Sequence, residues 1–153
     1  MNIYNNILEN KKANKKSFAL LIDPDKQDEK QLISIIEKAK NAETDYFFVG
    51  GSLLTHDSLD ACLSTLKAHA NIPVILFPGN AMQVNNKADA ILFLSLISGR
   101  NAEMLIGKQV ITAPILKQSS LEVLPTGYML IDSGKPTTVS YMCNTTPTPA
   151  EKD

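Results

Sequence analysis

Two carboxylates and an ammonium fall within one short segment, Asp23-Pro24-Asp25-Lys26, directly after the apolar run Phe18-Ala19-Leu20-Leu21-Ile22. A continuous apolar run of this length predicts a strand buried on both faces, as in a parallel sheet. α/β proteins place their chemistry at the carboxyl ends of such strands. Pro24 fixes its own φ and holds Asp23 extended, so Asp23 leaves the strand in a defined direction. Two hard oxygen ligands beside a cation suit a Mg²⁺-bound phosphate compound. Lys26 can meet a phosphate as a point charge or pair with Asp25 or Asp28. Asp25 can bind ligand or begin the turn into the next helix.

Four more apolar runs end in small, polar or turn-forming residues: Gly50-Gly51-Ser52, Pro78-Gly79-Asn80, Ser98-Gly99-Arg100-Asn101 and Asp132-Ser133-Gly134-Lys135. Turn chemistry explains one or two such clusters. Five of them, with carboxylates and amides included, predict a functional face at one end of a sheet. Gly50 and Gly51 can approach an anion and offer backbone N–H groups, or can simply form a tight turn. Ser52 is a hydroxyl ligand for Mg²⁺ or phosphate, or a helix cap. Asn80 and Asn101 complete the set of candidates for a diphosphate. His56 and His69 have no spacing for a metal or a triad, and the chain has no GxGxxG fingerprint, P-loop or nucleophile elbow.

The elements that must position these residues alternate. Residues 3–16 read as a short amphipathic helix with a lysine-rich end. The strand over 18–23 follows, then a helix over 29–41 with Asp28 as N-cap and Leu32, Ile35, Ile36 and Ala39 on its buried face. A strand over 46–49 precedes a helix over 57–69, and a strand over 74–77 precedes a short polar helix over 81–87. The fourth strand covers 90–96. Residues 102–117 admit strand or helix, and helix is favoured because a strand would leave too short a crossover. The fifth strand is placed at Tyr128-Met129-Leu130-Ile131, and the remainder reads as a polar tail. Repeated βα units mean a parallel sheet with right-handed crossovers. Five strands fit an open doubly wound sheet or part of a (β/α)₈ barrel, which usually needs about 250 residues.

The chain has 153 residues, 44% of them apolar and 20% charged, which suits one ordinary globular domain. A net charge of −1 gives no support to nucleic-acid binding. No apolar run approaches the length needed to span a bilayer, and the N-terminus lacks a signal-peptide pattern. Cys62 and Cys143 lie far apart without metal-ligand spacing and read as free thiols in a reduced cytoplasm.

Taken in order, Leu21-Ile22-Asp23-Pro24-Asp25-Lys26, Val49-Gly50-Gly51-Ser52, Leu76-Phe77-Pro78-Gly79, Leu96-Ile97-Ser98-Gly99-Arg100-Asn101, Pro125-Thr126-Gly127-Tyr128 and Asn144-Thr145-Thr146-Pro147 form a specific pattern. With these landmarks the chain resembles the geranylgeranylglyceryl phosphate synthase family, which includes the bacterial heptaprenylglyceryl phosphate synthases. The resemblance implies a TIM-barrel (β/α)₈ fold, of which residues 1–153 are a single partial domain with about the first five βα units. It implies a prenyltransferase of ether phospholipid biosynthesis, joining the 3-hydroxyl of sn-glycerol 1-phosphate to a polyprenyl diphosphate with Mg²⁺. It implies Asp23 as metal ligand with Ser52 as the second position, a cytoplasmic homo-oligomer and peripheral membrane contact. The family's base, on a Tyr-x-Glu strand end, and its last glycine-rich loops have no counterpart up to Asp153. The resulting expectation is a fragment or truncated gene product that does not transfer prenyl groups alone. The alternatives are a non-catalytic phosphate-binding α/β module, a subunit of a larger assembly, or another phosphate-using barrel.

Overall fold

In the computed structural model, residues 2–51, 58–80, 83–98, 100–144 and 146–151 are described. The order is α1 (Ile3–Lys12), β1 (Ala19–Ile22), α2 (Glu29–Asn41), β2 (Tyr46–Val49), α3 (Leu59–His69), β3 (Val74–Leu76), β4 (Ala90–Leu96), a π-helical turn (Glu103–Gly107) running into α4 (Lys108–Gln118), β5 (Glu122–Tyr128) and α5 (Thr138–Cys143). All five strands are parallel and lie in the order β1-β2-β3-β4-β5. A doubly wound sheet reverses its order at a switch point. Here each strand is added beside the last in one direction, which is the winding of a (β/α)₈ barrel.

Strand alternation separates two apolar layers. Ile22, Phe47, Val49, Val74, Leu76 and Ile91 point outward and pack against Leu32, Ile36 and Ala39 of α2, Cys62, Leu63 and Leu66 of α3, and Leu116 of α4. Tyr46, Ile75, Ala90 and Leu124 point to the other face, where they meet Ile3. α1 closes the end of the sheet where the strands begin. The Asn2 side chain accepts from Asn5 N, and the Glu122 carboxylate accepts from Ile3 N at 2.7 Å and Tyr4 N at 2.8 Å. Asp28 caps α2 in a capping box with Gln31, as its position in the sequence predicts.

Three sequence expectations are corrected. β5 is Glu122–Tyr128, not Tyr128–Ile131. It borders one strand, β4, among the described strands, so Pro125, which has no N–H, is accommodated there, while the more apolar Met129 and Ile131 are 62% and 47% exposed. Residues 83–87 are not helical, so the polar helix over 81–87 does not form in the described part of that range. Instead, segment 83–89 is tied to α3 by Lys87–Asp60 at 2.6 Å and Lys67–Asp89 at 2.8 Å. The polar tail contains α5, capped by Thr137, and its Thr148 bridges in parallel to Ile131.

Candidate functional site

The parallel register aligns Ile22 with Val49 and Val49 with Leu76, so Asp23, Gly50 and Phe77 follow side by side at the carboxyl ends of β1, β2 and β3. Asp23 is held by the turn it starts. Its Oδ1 accepts from Asp25 N at 3.2 Å, its carbonyl accepts from Lys26 N at 3.1 Å, and its Oδ2 lies 3.2 Å from Lys26 Nζ. The partner of Lys26 is therefore Asp23, rather than Asp25 or Asp28. The ammonium is 73% exposed and the carboxylate 25% exposed, so this pair is weak enough for a ligand to displace. Asp25 turns to the next element and accepts from Ser58 Oγ, the residue preceding α3.

Gly50 has a role different from the one its type suggests. Its N–H donates to the Ile22 carbonyl at 3.1 Å, which engages it in the sheet rather than with an anion. A Cβ on Gly50 would lie 2.0 Å from the Phe77 carbonyl oxygen, so glycine is required for β2 and β3 to approach at this height. Behind these loops lies Gln83, 4% exposed. Its Oε1 accepts from Gly79 N at 2.8 Å, and its Nε2 donates to the Gly51 carbonyl at 3.3 Å. Nothing in the sequence pattern distinguishes Gln83, because its part depends on the Gly51 carbonyl, 32 residues away along the chain, as well as on the nearby Gly79.

Gly50, Gly51, Gly79 and Asn80 line a cleft of about 350 Å³. The rest of its wall is mostly apolar. It includes Leu21 on β1, Phe77, Val84, Leu92 and Phe93 from both sides of β4, and Met104 and Thr112 beside the π-helical turn and α4. No helix covers this side between β3 and β4 among the described residues, which leaves the outward-pointing Phe93 available to the cleft. Phe77 stands between Phe48 and Tyr128, with ring centroids 6.1 Å and 6.3 Å away. Burial raises the Tyr128 phenol above its ordinary range, and the nearby Cys143 adds to this. Burial also raises the Cys143 thiol, opposed in part by the Lys108 ammonium. Lys108 is the charged residue among the described lining residues.

The structure thus brings Gly50, Gly51 and Asn80 into one cleft wall, with Asp23 beside Gly50 at the strand ends but not in the lining itself. Lys26 is tied to Asp23 and points largely to solvent. Asn101 does not join them: its Nδ2 donates to the Cys143 carbonyl at 3.0 Å, and its Oδ1 accepts from Glu103 N at 3.1 Å, so it ties α5 to the π-helical turn. Ser52 lies outside the described residues. β5 ends four positions before Asp132, whose N–H joins the Thr148 carbonyl instead, so the Asp132 cluster is not a strand end. The donors at the mouth fit Mg²⁺, which binds through one or two carboxylates plus phosphate oxygens and water and does not need a protein cage. No group of three or more His, Cys, Asp or Glu side chains could hold a metal among the described residues, and Asp23 offers hard oxygen at a partly exposed position.

A model of the PcrB family matches residues 7–153. The chain is 52% identical over 151 residues to the geranylgeranylglyceryl phosphate synthase of Chitinophaga pinensis, covering 99% of this chain and 60% of that protein. It is 49% identical to the protein of the same name from Spirosoma linguale, covering 93% of this chain and 57% of that protein. The crystal structure of (S)-3-O-geranylgeranylglyceryl phosphate synthase from Thermoplasma acidophilum, in complex with its substrate sn-glycerol-1-phosphate, superposes with a TM-score of 0.91 at 32% identity, covering 99% of this chain and 61% of that one. The chain therefore spans about 60% of the length of these relatives.

Proposed function

The chain belongs to the PcrB family, and from that premise we propose that it forms the diphosphate-binding and prenyl-binding side of a prenyltransferase acting on sn-glycerol 1-phosphate. The observation that carries this reading is a single mouth with two chemistries. The glycine loops form the polar end, with Asp23 next to Gly50 at the neighbouring strand end, and an apolar cleft continues from Gly50, Gly51 and Asn80 past Phe77 to Phe93 and Met104. A polyprenyl diphosphate has the same division. Pockets of this size, mostly apolar with a few polar groups, bind small amphiphilic ligands well.

Asp23 is the residue we assign to Mg²⁺, with Ser52 as the second position implied by the family resemblance. Bound Mg²⁺ would neutralise the charge that builds on the diphosphate as it leaves C1 of the prenyl chain. Lys26, swinging from Asp23 to a phosphate oxygen, would add a point charge at the same end. The aromatic row of Phe48, Phe77 and Tyr128 offers ring faces near where positive charge develops on C1. Bound against the apolar wall, a prenyl chain would shield the reacting carbon from water and so favour the glycerol hydroxyl over hydrolysis. Among the described residues no helix is long and apolar enough to cross a membrane.

Binding of geranylgeranyl diphosphate to the purified chain, followed by calorimetry with and without Mg²⁺, tests the reading. Tight Mg²⁺-dependent binding is expected, with Asp23→Ala weakening it by on the order of a hundredfold. A wild-type chain that binds no more tightly with Mg²⁺ than without it would overturn the metal role of Asp23. No binding at all would overturn the reading.

A further inference from the structure

We propose that Gln83 is a positioning residue that sets the spacing of the two glycine loops and thereby the geometry of the diphosphate end of the cleft. This rests on the functional reading above. Gln83 does not line the cleft. Its amide stands behind the wall and joins both loops through their backbones, accepting from Gly79 N at 2.8 Å and donating to the Gly51 carbonyl at 3.3 Å. Its own N–H donates to the Asn80 carbonyl at 3.3 Å, which ties it to a third residue of the cleft wall.

Three features separate this from ordinary loop packing. The side chain is polar yet 4% exposed, and a buried amide is costly unless both its ends are satisfied. The loops it joins follow β2 and β3, and these strands already meet closely at Gly50 and Phe77. The sheet fixes their separation at that height, and Gln83 continues the fixation further out, one residue on to Gly51 and two residues on to Gly79. Third, it consumes one donor and one acceptor of the loops. The Gly79 N–H is thus directed away from the cleft, and so is the Gly51 carbonyl, whose negative end would repel a diphosphate. One side chain therefore sets both the distance between the loops and the polarity they present.

Replacing Gln83 by Met keeps an unbranched side chain of similar volume and removes both bonds. Gln83→Glu keeps an acceptor for Gly79 N and sets a second acceptor against the Gly51 carbonyl. Two ligands are compared on the wild type and both variants: geranylgeranyl diphosphate with Mg²⁺, and geranylgeraniol, which has the tail without the diphosphate. Both variants are expected to bind the diphosphate at least about tenfold more weakly and the alcohol with unchanged affinity. In the ligand-free protein, the Gly79 amide is expected to lose hydrogen-exchange protection in Gln83→Met and retain it in Gln83→Glu. Equal weakening of both ligands would show general damage to the cleft and overturn the inference, as would unchanged diphosphate binding. If the wild type binds neither ligand, the functional reading fails, and this role fails with it. Wild-type binding with an unaffected Gln83→Met variant overturns this role alone.

Discussion

Residues of the same apparent type do different work here. Gly50 and Gly51 are adjacent and read alike in sequence. Gly50 is fixed by sterics, because the Phe77 carbonyl occupies the space of its missing Cβ. Gly51 lines the cleft and accepts from Gln83. Gly50→Ala is therefore expected to destabilise the fold by about 2 kcal/mol or more, since a carbonyl 2.0 Å from the new carbon must move with its strand. Urea unfolding checks this, and an unchanged midpoint would show that β3 yields easily. Asp23 was legible from its place after an apolar run and before proline. That Lys26 pairs with Asp23 was not, because nearest-carboxylate reasoning cannot choose among Asp23, Asp25 and Asp28 without the turn geometry.

At the scale of elements, helices with strong local signals were legible and irregular segments were not. α2 has its capping box and apolar face within its own sequence. β5 carries Pro125 and Gly127 and forms only because β4 offers it a full ladder from Ala90 to Leu96. The same strand supplies Glu122, which receives the first N–H groups of α1 from the far end of the chain. Those groups have no partner within their own helix, and the carboxylate also faces the positive end of the helix dipole. Glu122→Ala is expected to cost about 1–2 kcal/mol. Glu122→Gln, which keeps one acceptor oxygen, should lie between. Hydrogen exchange at Ile3 and Tyr4 reads the effect locally; unchanged protection in Glu122→Ala would assign α1 to Ile3 packing alone.

The whole molecule is organised by its strand order. α2, α3 and α4 pack their apolar faces on one side of the sheet, and the cleft opens at the carboxyl ends of the strands, where Phe93 and α4 also reach it. Cys62 belongs to that packing. Burial pushes its thiol from the ordinary 9.0 up to about 11. Because the folded value lies above the unfolded one, its contribution is complete below pH 9 and is lost as pH rises towards 11, by on the order of 2 kcal/mol. Cys62→Ala should lower stability at pH 7 and flatten the decline between these values. Equal slopes in urea titrations at several pH values would remove Cys62 as its source. By itself the sequence determined the βα alternation, most strand ends and the carboxylate at the first of them, because apolar runs, caps and proline act over a few residues. Only the tertiary structure decided between an open sheet and a barrel winding, moved β5, set Asn101 aside and revealed Gln83. Each of these depends on which distant segments become neighbours, and local preference along a chain carries no record of that.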